Sequence, residues 1–327
     1  MWKVCFVIPT KNEEKTIASV IDGIRGILDR DRFAEPVFLV VDDSTDATRR
    51  LAREAGARVV VGRGQGLGSA MFIGLKAAAA LRPDFIVTID GDGQADAEEI
   101  PRFLKGLVDD EADLVLGSRF LDKESVKYRY RRINRFGTRV LSWMLRRFTK
   151  TKLTDSHGGI RAMRREVADE VEMLGTHTYV QETIIDAAEK GFRIKEIPSA
   201  WKKREHGKSR VVGSIPRYIF YTLPILFLRS GGHIRALYTL GLLLVFGGLF
   251  YFGWILVEHG FNLKDTFRRM PAFIWITLLL SIGFQCFVFG LVLQMIKQIK
   301  YRLDRTAEQR RFESAWPSES AEPSKED

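Results

Sequence analysis

The stretch that decides the fold of this 327-residue chain is FIVTIDGDGQ, residues 85–94. An apolar, partly β-branched run passes there directly into glycines and acidic side chains, which is the pattern of a buried strand ending at a polar turn. Helical patterns flank it at Gly68–Leu81 and Ala97–Val108. The stretch therefore predicts a strand, Phe85–Ile89, in a domain where strands and helices alternate.

The alternation extends over the first part of the chain. Further strands are predicted at Lys3–Ile8, Val37–Val41, Arg58–Val61 and Leu114–Leu116, and further helices at Glu13–Leu28 and Ala47–Ala55. This order predicts an α/β domain with a mostly parallel sheet and helices on both faces. Ligands of such sheets bind at the carboxyl ends of the strands, so the residues that follow each strand are the first candidates for chemistry.

Acidic residues follow three of these strands and should meet at one edge of the sheet: Glu13 after the first, Asp42 after the second, and Asp90 with Asp92 after the fourth. A lone Asp or Ser after a strand is commonly a helix cap, and that reading is favoured for Ser44 and Asp46. The predicted site therefore depends mainly on the fourth strand.

Asp90, Asp92 and Gln94 alternate along the chain and are separated by glycines, which places two carboxylates and an amide on one side. Carboxylates held so close repel each other unless a cation lies between them. Oxygen ligands without nearby His or Cys favour Mg²⁺ or Mn²⁺, which usually keeps substrate phosphate in its shell. The pattern thus favours a nucleotide diphosphate as partner, and the glycine-rich stretch at 62–70 adds a weak signal for phosphate or base binding.

Composition excludes several classes. With 46% hydrophobic residues the chain can bury a substantial core, which excludes a disordered or fibrous protein. Its two cysteines, Cys5 and Cys286, are too few for a disulfide framework or a thiolate zinc site. The N-terminus resembles a first strand more than a signal peptide, so the first part of the chain is expected to stay in the cytoplasm.

Two uncharged runs, Ala236–Val257 and Ala272–Ile296, are each long enough to cross a hydrocarbon core, and spanning is strongly favoured over burial in a soluble core. The flanks at 201–235 and 297–311 are rich in Lys and Arg, whereas the intervening loop is not. The positive-inside rule therefore predicts a hairpin with both ends, the first domain and both termini cytoplasmic.

Two further segments are expected to associate with the membrane without crossing it: apolar interfacial helices at 213–235, and the basic, aromatic-rich stretch Lys127–Lys152. The basic stretch could bind nucleic acid, but beside a membrane hairpin an anionic lipid surface or lipid phosphate is favoured, so no nucleic acid partner is predicted. The basic segment that follows the second span should give way after Phe312 to a disordered tail that reaches residue 327.

The chain from about Val4 to Arg210 resembles family 2 glycosyltransferases of the GT-A fold, in the branch of dolichol-phosphate mannosyltransferases and polyprenyl-phosphate glucosyltransferases. It rests on motifs in the family's order: VIPTKNEE at 7–14, VVDDSTDAT at 40–48, the GLG of the glycine-rich stretch, IDGDGQ at 89–94, GSRF at 117–120, TDSHGGIRAM at 154–163 and HGKSR at 206–210.

The resemblance implies a role for individual residues. The nucleotide pocket would be lined by Pro9, Glu13 and Asp42, with Asp90 at the donor, Asp92 and Gln94 on the metal, and Arg204 and Lys208 closing over the diphosphate. Arg119 would meet the acceptor phosphate together with Arg131, for which Arg132 and Arg135 are close alternatives. Glu182 lies where many relatives have a catalytic acid; it would orient the acceptor or a donor hydroxyl, or else be an ordinary carboxylate on a helix surface, and the two readings are weighted equally.

The resemblance further implies a cytoplasmic catalytic domain over residues 1–212 that transfers one hexose, with inversion, from a nucleotide diphosphate sugar to dolichyl or polyprenyl phosphate. Mannose from GDP-mannose is favoured, with UDP-glucose as the alternative donor and a lipid hydroxyl as the alternative acceptor. A non-catalytic scaffold is disfavoured because it has no use for clustered carboxylates. The processive Gln-x-x-Arg-Trp motif is missing from the sequence, which disfavours polymer synthesis, and a homo-oligomer is left open.

Overall fold

The computed structural model describes residues 1–31, 34–122, 132–149, 151–173, 179–202, 232–260 and 270–315. The chain forms two compact units, Met1–Leu226 and Phe227–Asp327. The first contains a sheet with its covering helices, and the second contains two long helices.

The strands and helices of the first unit alternate as the sequence predicts up to residue 118. In chain order they are β1 (Trp2–Thr10), α1 (Ile17–Asp31), β2 (Ala34–Asp42), α2 (Thr48–Glu54), β3 (Arg58–Val61), α3 (Leu67–Ala80), β4 (Phe85–Thr88), a 3₁₀ turn (Ala97–Glu99), α4 (Ile100–Val108), β5 (Leu114–Ser118), α5 (Arg132–Thr149), β6 (Arg161–Arg164), α6 (Arg165–Glu170), α7 (Val180–Glu189) and β7 (Ile194–Pro198).

The seven strands form one sheet in the order β3-β2-β1-β4-β6-β5-β7. The pairs β1–β2, β1–β4, β2–β3 and β5–β7 are parallel, whereas β6 runs antiparallel to both β4 and β5. The central strand β1 is fully buried from Val4 to Ile8, as expected for a strand covered on both faces. The predicted mostly parallel α/β sheet is confirmed.

Helices cover both faces of this sheet and give it two hydrophobic cores. On one face, Ile21 of α1 and Phe103 of α4 pack against β1, β2 and β4. On the other face, Leu75 of α3, Leu145 of α5 and Ile184 of α7 share a second core. The apolar stripes of the helices are thus matched by the two faces of the sheet, and the loops remain at its edges.

The first helix begins later than predicted, at Ile17 rather than Glu13. Asn12 has φ of +55°, which turns the chain sharply after β1. The carbonyl oxygen of Glu13 then accepts hydrogen bonds from the amides of Thr16 and Ile17, at 3.1 and 3.0 Å. The residues between β1 and α1 are therefore held in a loop at the sheet edge, where the predicted chemistry lies.

The second unit consists of α8 (Gly232–Glu258) and α9 (Met270–Ala315). Their segments Ile234–Glu258 and Met270–Ile296 are long and apolar enough to cross a membrane, judged by length and composition. The helices pack closely because glycine faces glycine: a Cβ on Gly241 or Gly283 would lie 2.8 Å from the other's carbonyl oxygen.

The structure corrects two boundaries near these helices. Residues 232–235, predicted as part of the interfacial segment, belong to α8, and residues 213–231 lie outside the described part. The helix α9 continues to Ala315, so disorder immediately after Phe312 is wrong for 313–315. The reason is that 297–315 holds good helix formers without Gly or Pro. Residues 316–327 lie outside the described part.

Candidate active site

The loops that follow β1 and β2 are tied together at the carboxyl edge of the sheet. The hydroxyl of Thr10 donates to Oδ1 of Asp42 at 2.9 Å. Beyond it, the amide of Asn12 donates to the hydroxyl of Ser44 at 2.7 Å, and Asn12 Oδ1 accepts from the amide of Thr45 at 3.0 Å. The polar ends of the two strands therefore form one surface.

The loop after β4 joins the same surface through Thr16, at the entry to α1. The hydroxyl of Thr16 donates to the carbonyl oxygen of Gly91 at 2.7 Å. A Cβ on Gly91 would lie 2.8 Å from a methyl group of Thr10, so a larger residue would separate the loops. The loops that carry the three acidic clusters are therefore joined at one edge of the sheet.

Asp42 is fully buried and its charge is compensated within the domain. It accepts from Thr10, and Nε of Arg49 donates to its Oδ2 at 3.0 Å. Pro9 is buried directly before Thr10, and Glu13 is half-buried with its amide donating to the hydroxyl of Thr48 at 2.9 Å. The three residues predicted for the nucleotide pocket thus lie at the adjoining carboxyl ends of β1 and β2 and on the loop after β1.

Helix α2 begins beside this pocket at Thr48 with Ala47 as its N-cap, so the cap predicted for Asp46 is wrong by one residue. Oδ1 of Asp46 nevertheless accepts from the amide of Thr48 at 3.0 Å. Ser44, for which a cap was also favoured, instead accepts from Asn12. Its side chain therefore joins two loops.

Asp43 anchors the glycine-rich stretch to the site. Its Oδ1 accepts from the amide of Gly64 at 2.8 Å, and a Cβ on Gly62 would overlap the same carboxylate. Gly64 and Gly66 have φ of +69° and +116°, a conformation that favours glycine. The stretch is thereby held directly beside the end of β2.

After β4, Asp92 and Gln94 are fixed by hydrogen bonds to the backbone. Oδ1 of Asp92 accepts from the amide of Gln94 at 3.0 Å. Gln94 pairs in turn with Lys202, which donates its amide to the Gln94 carbonyl at 2.8 Å and accepts from Gln94 Nε2 at 3.1 Å. The acidic loop is thus joined to Lys202, in the segment after β7.

Across the described ranges, no group of three or more His, Cys, Asp or Glu side chains could hold a metal ion. The predicted ligands, Asp92 and Gln94, are hard oxygen donors on a short half-buried loop. Such a set suits Mg²⁺ or Mn²⁺, which commonly takes one or two protein oxygens and completes its shell with water and substrate phosphate. The donor chemistry therefore fits a cation bound together with its substrate.

Arg119 is buried and paired with a carboxylate, which its predicted contact with the acceptor phosphate did not anticipate. It is 3% exposed, and its Nε and Nη2 donate to the two carboxylate oxygens of Asp155 at 2.6 and 3.0 Å. Its guanidinium also lies 4.8 Å from the ring centroid of Trp201. Burial alone would raise the pKa of Asp155, but the charge and hydrogen bonds of Arg119 lower it, so the carboxylate stays ionised.

The Asp155 loop is pressed onto the end of β5. A Cβ on Gly158 would collide with the carbonyl oxygen of Gly117, and one on Gly159 would lie 2.5 Å from Nε1 of Trp201. Glu196 of β7 accepts from the amide of Asp155 at 2.9 Å. The arginine, the loop and the segment after β7 therefore form one packed group, which we call the Arg119 clamp, comprising Arg119, Asp155 and Trp201.

Glu182 lies in the first turn of α7 and is 1% exposed, so the reading as a helix-surface carboxylate is wrong. Its neighbour Gln181 contacts Nε2 of His157 at 3.0 Å.

Burial lowers the pKa of His157 to about 4, although the negative charge of Asp155 acts in the opposite direction. His157 is thus a neutral hydrogen-bonding residue of the loop.

A second buried arginine, Arg161, lies in the same domain. Arg161 of β6 is 1% exposed, its Nη1 donates to the carbonyl oxygen of Val180 at 3.0 Å, and its guanidinium stacks 5.0 Å from the ring centroid of Tyr179. Burial raises the pKa of Tyr179 to about 12, with Asp90 adding to the rise and Arg161 opposing it. The negative charge of Asp90 therefore acts on the buried hydroxyl of Tyr179.

Three predicted site residues, Arg131, Arg204 and Lys208, lie outside the described residues. Sequence reasoning also missed several positions that hold the site together. Asp43 and Asp155 stand in quoted motifs but were given no role, and Thr16 and Trp201 were not selected because a single Thr or Trp carries no signal of its own. Their importance comes from contacts between loops far apart in sequence.

Comparison with known proteins is consistent with this geometry. The chain is 32% identical over 200 residues to a dolichyl-phosphate hexose transferase of Haloferax volcanii, covering 61% of this chain and 82% of the relative. It is 27% identical over 320 residues to a dodecaprenyl-phosphate galacturonate synthase of Rhizobium johnstonii, covering 92% and 90%.

A solved structure is also similar: the glucosyl-3-phosphoglycerate synthase of Mycobacterium tuberculosis, crystallised with Mn²⁺, uridine diphosphate and glucosyl-3-phosphoglycerate. It superposes with a TM-score of 0.53 at 26% identity over 70% of this chain and 80% of that one. The model of the family described as Glycosyl transferase family 2 matches residues 5–172, just over half of the chain. The resemblance noted in the sequence is confirmed, and the chain belongs to glycosyl transferase family 2.

Proposed function

We propose that this chain transfers a hexose from a nucleotide diphosphate sugar to the phosphate of dolichol or another polyprenol. The observation that carries the proposal is that Asp42 is hydrogen-bonded to Thr10, and the loop of Asp90 and Asp92 to Thr16, at the carboxyl edge of a family 2 domain. Two helices long enough to cross a membrane follow in the same chain, which suits a lipid acceptor. Relatives named for dolichyl and dodecaprenyl phosphate support this acceptor class.

The donor would bind over the loops after β1, β2 and β4. Pro9, Glu13 and Asp42 would line the base and ribose pocket, and Asp90 would lie beside the sugar. Because Asp42 is already bonded to Thr10 and Arg49, its position is fixed before the donor arrives. Such preorganisation lowers the ordering cost of binding.

Asp92 and Gln94 would hold Mg²⁺ or Mn²⁺. When bound, the cation supplies charge stabilisation for the leaving diphosphate. The hydrogen bonds between Gln94 and Lys202 fix the loop that carries both ligands, and they connect it to the segment in which Arg204 and Lys208 would close over the diphosphate. A crystallised family neighbour with Mn²⁺ and uridine diphosphate supports a divalent requirement.

The acceptor phosphate is anionic near neutral pH and needs little general-base assistance. Arg131, with Arg119, would position it for in-line attack and inversion at the anomeric carbon. Glu182 would orient the acceptor or a donor hydroxyl from within the domain, since it is buried and lies beside Gln181 on the helix that reaches His157.

The basic flanks of the two apolar segments support a hairpin whose ends are cytoplasmic, with the catalytic domain on the same side. Donor nucleotide sugars would then reach the site from the cytoplasm. GDP-mannose is the first donor to try and UDP-glucose the second.

The test uses membranes that contain the full chain. They are incubated with radiolabelled GDP-mannose, UDP-glucose or UDP-galacturonate and with dolichyl phosphate, and the label in the lipid phase is counted. A matched sample receives dolichol, which offers a hydroxyl in place of the phosphate. Asp92→Asn serves as the inactive control because it keeps the shape of the loop while removing the charge.

Label in the lipid phase that depends on dolichyl phosphate and is released by mild acid, as a glycosyl phosphate should be, supports the proposal. Label transferred equally well to dolichol would favour glycolipid synthesis with a hydroxyl acceptor. Binding of a nucleotide sugar without any transfer across the donor panel would favour a scaffold.

A further inference from the structure

The helix α5 presents a mixed basic and aromatic stripe to solvent. On a helical wheel, Arg139, Val140, Trp143, Arg146 and Arg147 fall within about a third of the circumference. Trp143 is 59% exposed and Val140 is 41% exposed, and all three arginines are exposed. We call these five residues the α5 stripe.

The opposite side of α5 already has its function in the fold. Leu141 and Leu145 are buried in the core that α5 shares with α3 and α7. Thr138 and Ser142 are also buried, and the hydroxyl of Ser142 accepts from the amide of Ser156 in the Asp155 loop at 3.1 Å. The packing of the domain therefore explains one face of α5 and leaves the stripe unexplained.

One arginine of the stripe is used locally, since Nη1 of Arg146 donates to the carbonyl oxygen of Leu153 at 2.6 Å. For the other two, Arg139 and Arg147, the structure as far as it is described contains no ion pair. Between them lies Trp143, a large side chain that is costly to leave in water. Two cations around an exposed indole make a surface suited to an anionic, partly apolar partner.

We propose that the α5 stripe docks on the surface of an anionic lipid bilayer, with Trp143 and Val140 in the headgroup boundary and Arg139 and Arg147 on lipid phosphates. Tryptophan favours this boundary, and clustered basic side chains are attracted to anionic leaflets. A bilayer is favoured over nucleic acid because the same chain carries two helices of membrane-spanning length. The stretch Lys127–Lys152 also contains no acidic residue that would oppose such docking.

Docking would have a consequence at the site. The buried side of α5 holds the Asp155 loop through Ser142, and Asp155 pairs with Arg119. A bilayer held against the stripe therefore fixes the helix from which the Arg119 clamp receives part of its support. The proposal does not depend on which sugar is transferred, or on whether transfer occurs.

The experiment places a nitroxide at position 140 of the full chain, as Val140→Cys in a Cys286→Ala background, since Cys5 is buried. The labelled protein is reconstituted into vesicles of phosphatidylcholine alone or mixed with phosphatidylglycerol. Electron spin resonance then compares collisions of the label with oxygen, which partitions into lipid, and with a water-soluble nickel chelate. Lys105→Cys, on an exposed position of α4, is the matched control.

We expect the label at 140 to lose nickel collisions and gain oxygen collisions in the anionic vesicles, while the label at 105 remains accessible to nickel. Adding Arg139→Gln and Arg147→Gln should return the label at 140 to water. A label at 140 that stays accessible to nickel in both vesicle types would overturn the proposal, as would protection that persists unchanged in the double Gln variant. Protection that appears only after RNA is added would assign the stripe to nucleic acid instead. No donor or acceptor is present, so failure here is distinct from failure of the proposed reaction.

Discussion

Replacing Arg119 should destabilise the catalytic domain as well as affect the reaction. The side chains of Arg119 and Asp155 are 4% and 0% exposed, and they are joined by two hydrogen bonds of 2.6 and 3.0 Å. Removing the arginine alone leaves a buried carboxylate without its counter-charge. The same change would barely alter the stability of the domain if Arg119 lay unpaired at the surface and bound only the acceptor phosphate.

The expected size follows from the burial of the pair. Breaking a buried ion pair from one side typically costs about 3 to 5 kcal/mol, because the remaining charge stays desolvated. In a domain of this size each kcal/mol lowers Tm by about 2 to 4 °C, so Arg119→Met should lower Tm by roughly 6 to 20 °C. Removing both charges, in Arg119→Met with Asp155→Asn, should cost less than the sum of the single changes, with a coupling of about 0.5 to 3 kcal/mol.

Thermal unfolding in neutral detergent, followed by intrinsic fluorescence, measures the Tm of the single variants and of the double variant. Arg50→Met is the matched control because Arg50 forms a 2.8 Å pair with Glu54 on the surface, where both side chains are more than half exposed. Such pairs contribute about 0.3 to 0.5 kcal/mol, so Tm should barely change. Acceptor titration of the same variants then separates the roles of Arg119.

If Arg119 also binds the acceptor phosphate, the double variant should still need about ten- to a hundredfold more acceptor, the loss expected for a charge-assisted bond of about 1.5 to 3 kcal/mol. If it acts only through the loop, acceptor use should recover together with Tm. An Arg119→Met variant as stable as Arg50→Met, or a double variant that shows strictly additive losses, would refute the clamp.

Three further outcomes are expected. Asp92→Asn should abolish transfer and chelation should do so reversibly, whereas full activity in excess EDTA would contradict a metal at Asp92. A reporter fused after Lys300 should be cytoplasmic and one inserted at 262–265 external; the same location for both would contradict the hairpin. The pKa of His157 is about 4 in the fold against an ordinary value of 6.5, so the unfolded chain binds the proton first and stability should fall as the pH drops from about 6.5 to 4. His157→Gln should flatten this fall, measured by Tm against pH, and an unchanged profile would show that other groups cause it.

The first half of the sheet could be predicted from sequence because its signals are local. Strand β3 has the predicted bounds, Arg58–Val61, and β1, β2, β4 and β5 differ only at their ends. Each of these strands contains a short β-branched or apolar run, and each run passes into a polar turn. The acidic cluster after β4 followed from the same pattern.

Strands β6 and β7 were not predicted, because their residues do not resemble a buried strand. The sequence of β6 is RAMR, with two arginines, and its first residue is nevertheless almost fully buried. The ring of Tyr179 and the carbonyl oxygen of Val180, beyond the reach of a local sequence pattern, contact the guanidinium and help to compensate for that burial. Long-range compensation of this kind cannot be read from a local window.

The Arg119 clamp was missed for a related reason. Arg119 and Asp155 stand in two separate motifs, of which only the first was given a role, and neither motif shows that the two residues bind each other. Their pairing depends on the bond from Glu196 to the Asp155 loop and on glycines that allow contact with β5. Only tertiary structure shows such a pairing.

The helix α9 is long enough for its far end to report a distance from the bilayer. At 1.5 Å per residue its 46 residues extend about 69 Å, more than twice the thickness of a hydrocarbon core. With Met270–Ile296 in the lipid, the remaining turns to Ala315 would project about 28 Å as one continuous rod. A fluorophore fused after Ala315 would then sit nanometres from a dye in the bilayer, and energy transfer between them would decrease each time a turn is inserted and increase each time one is deleted.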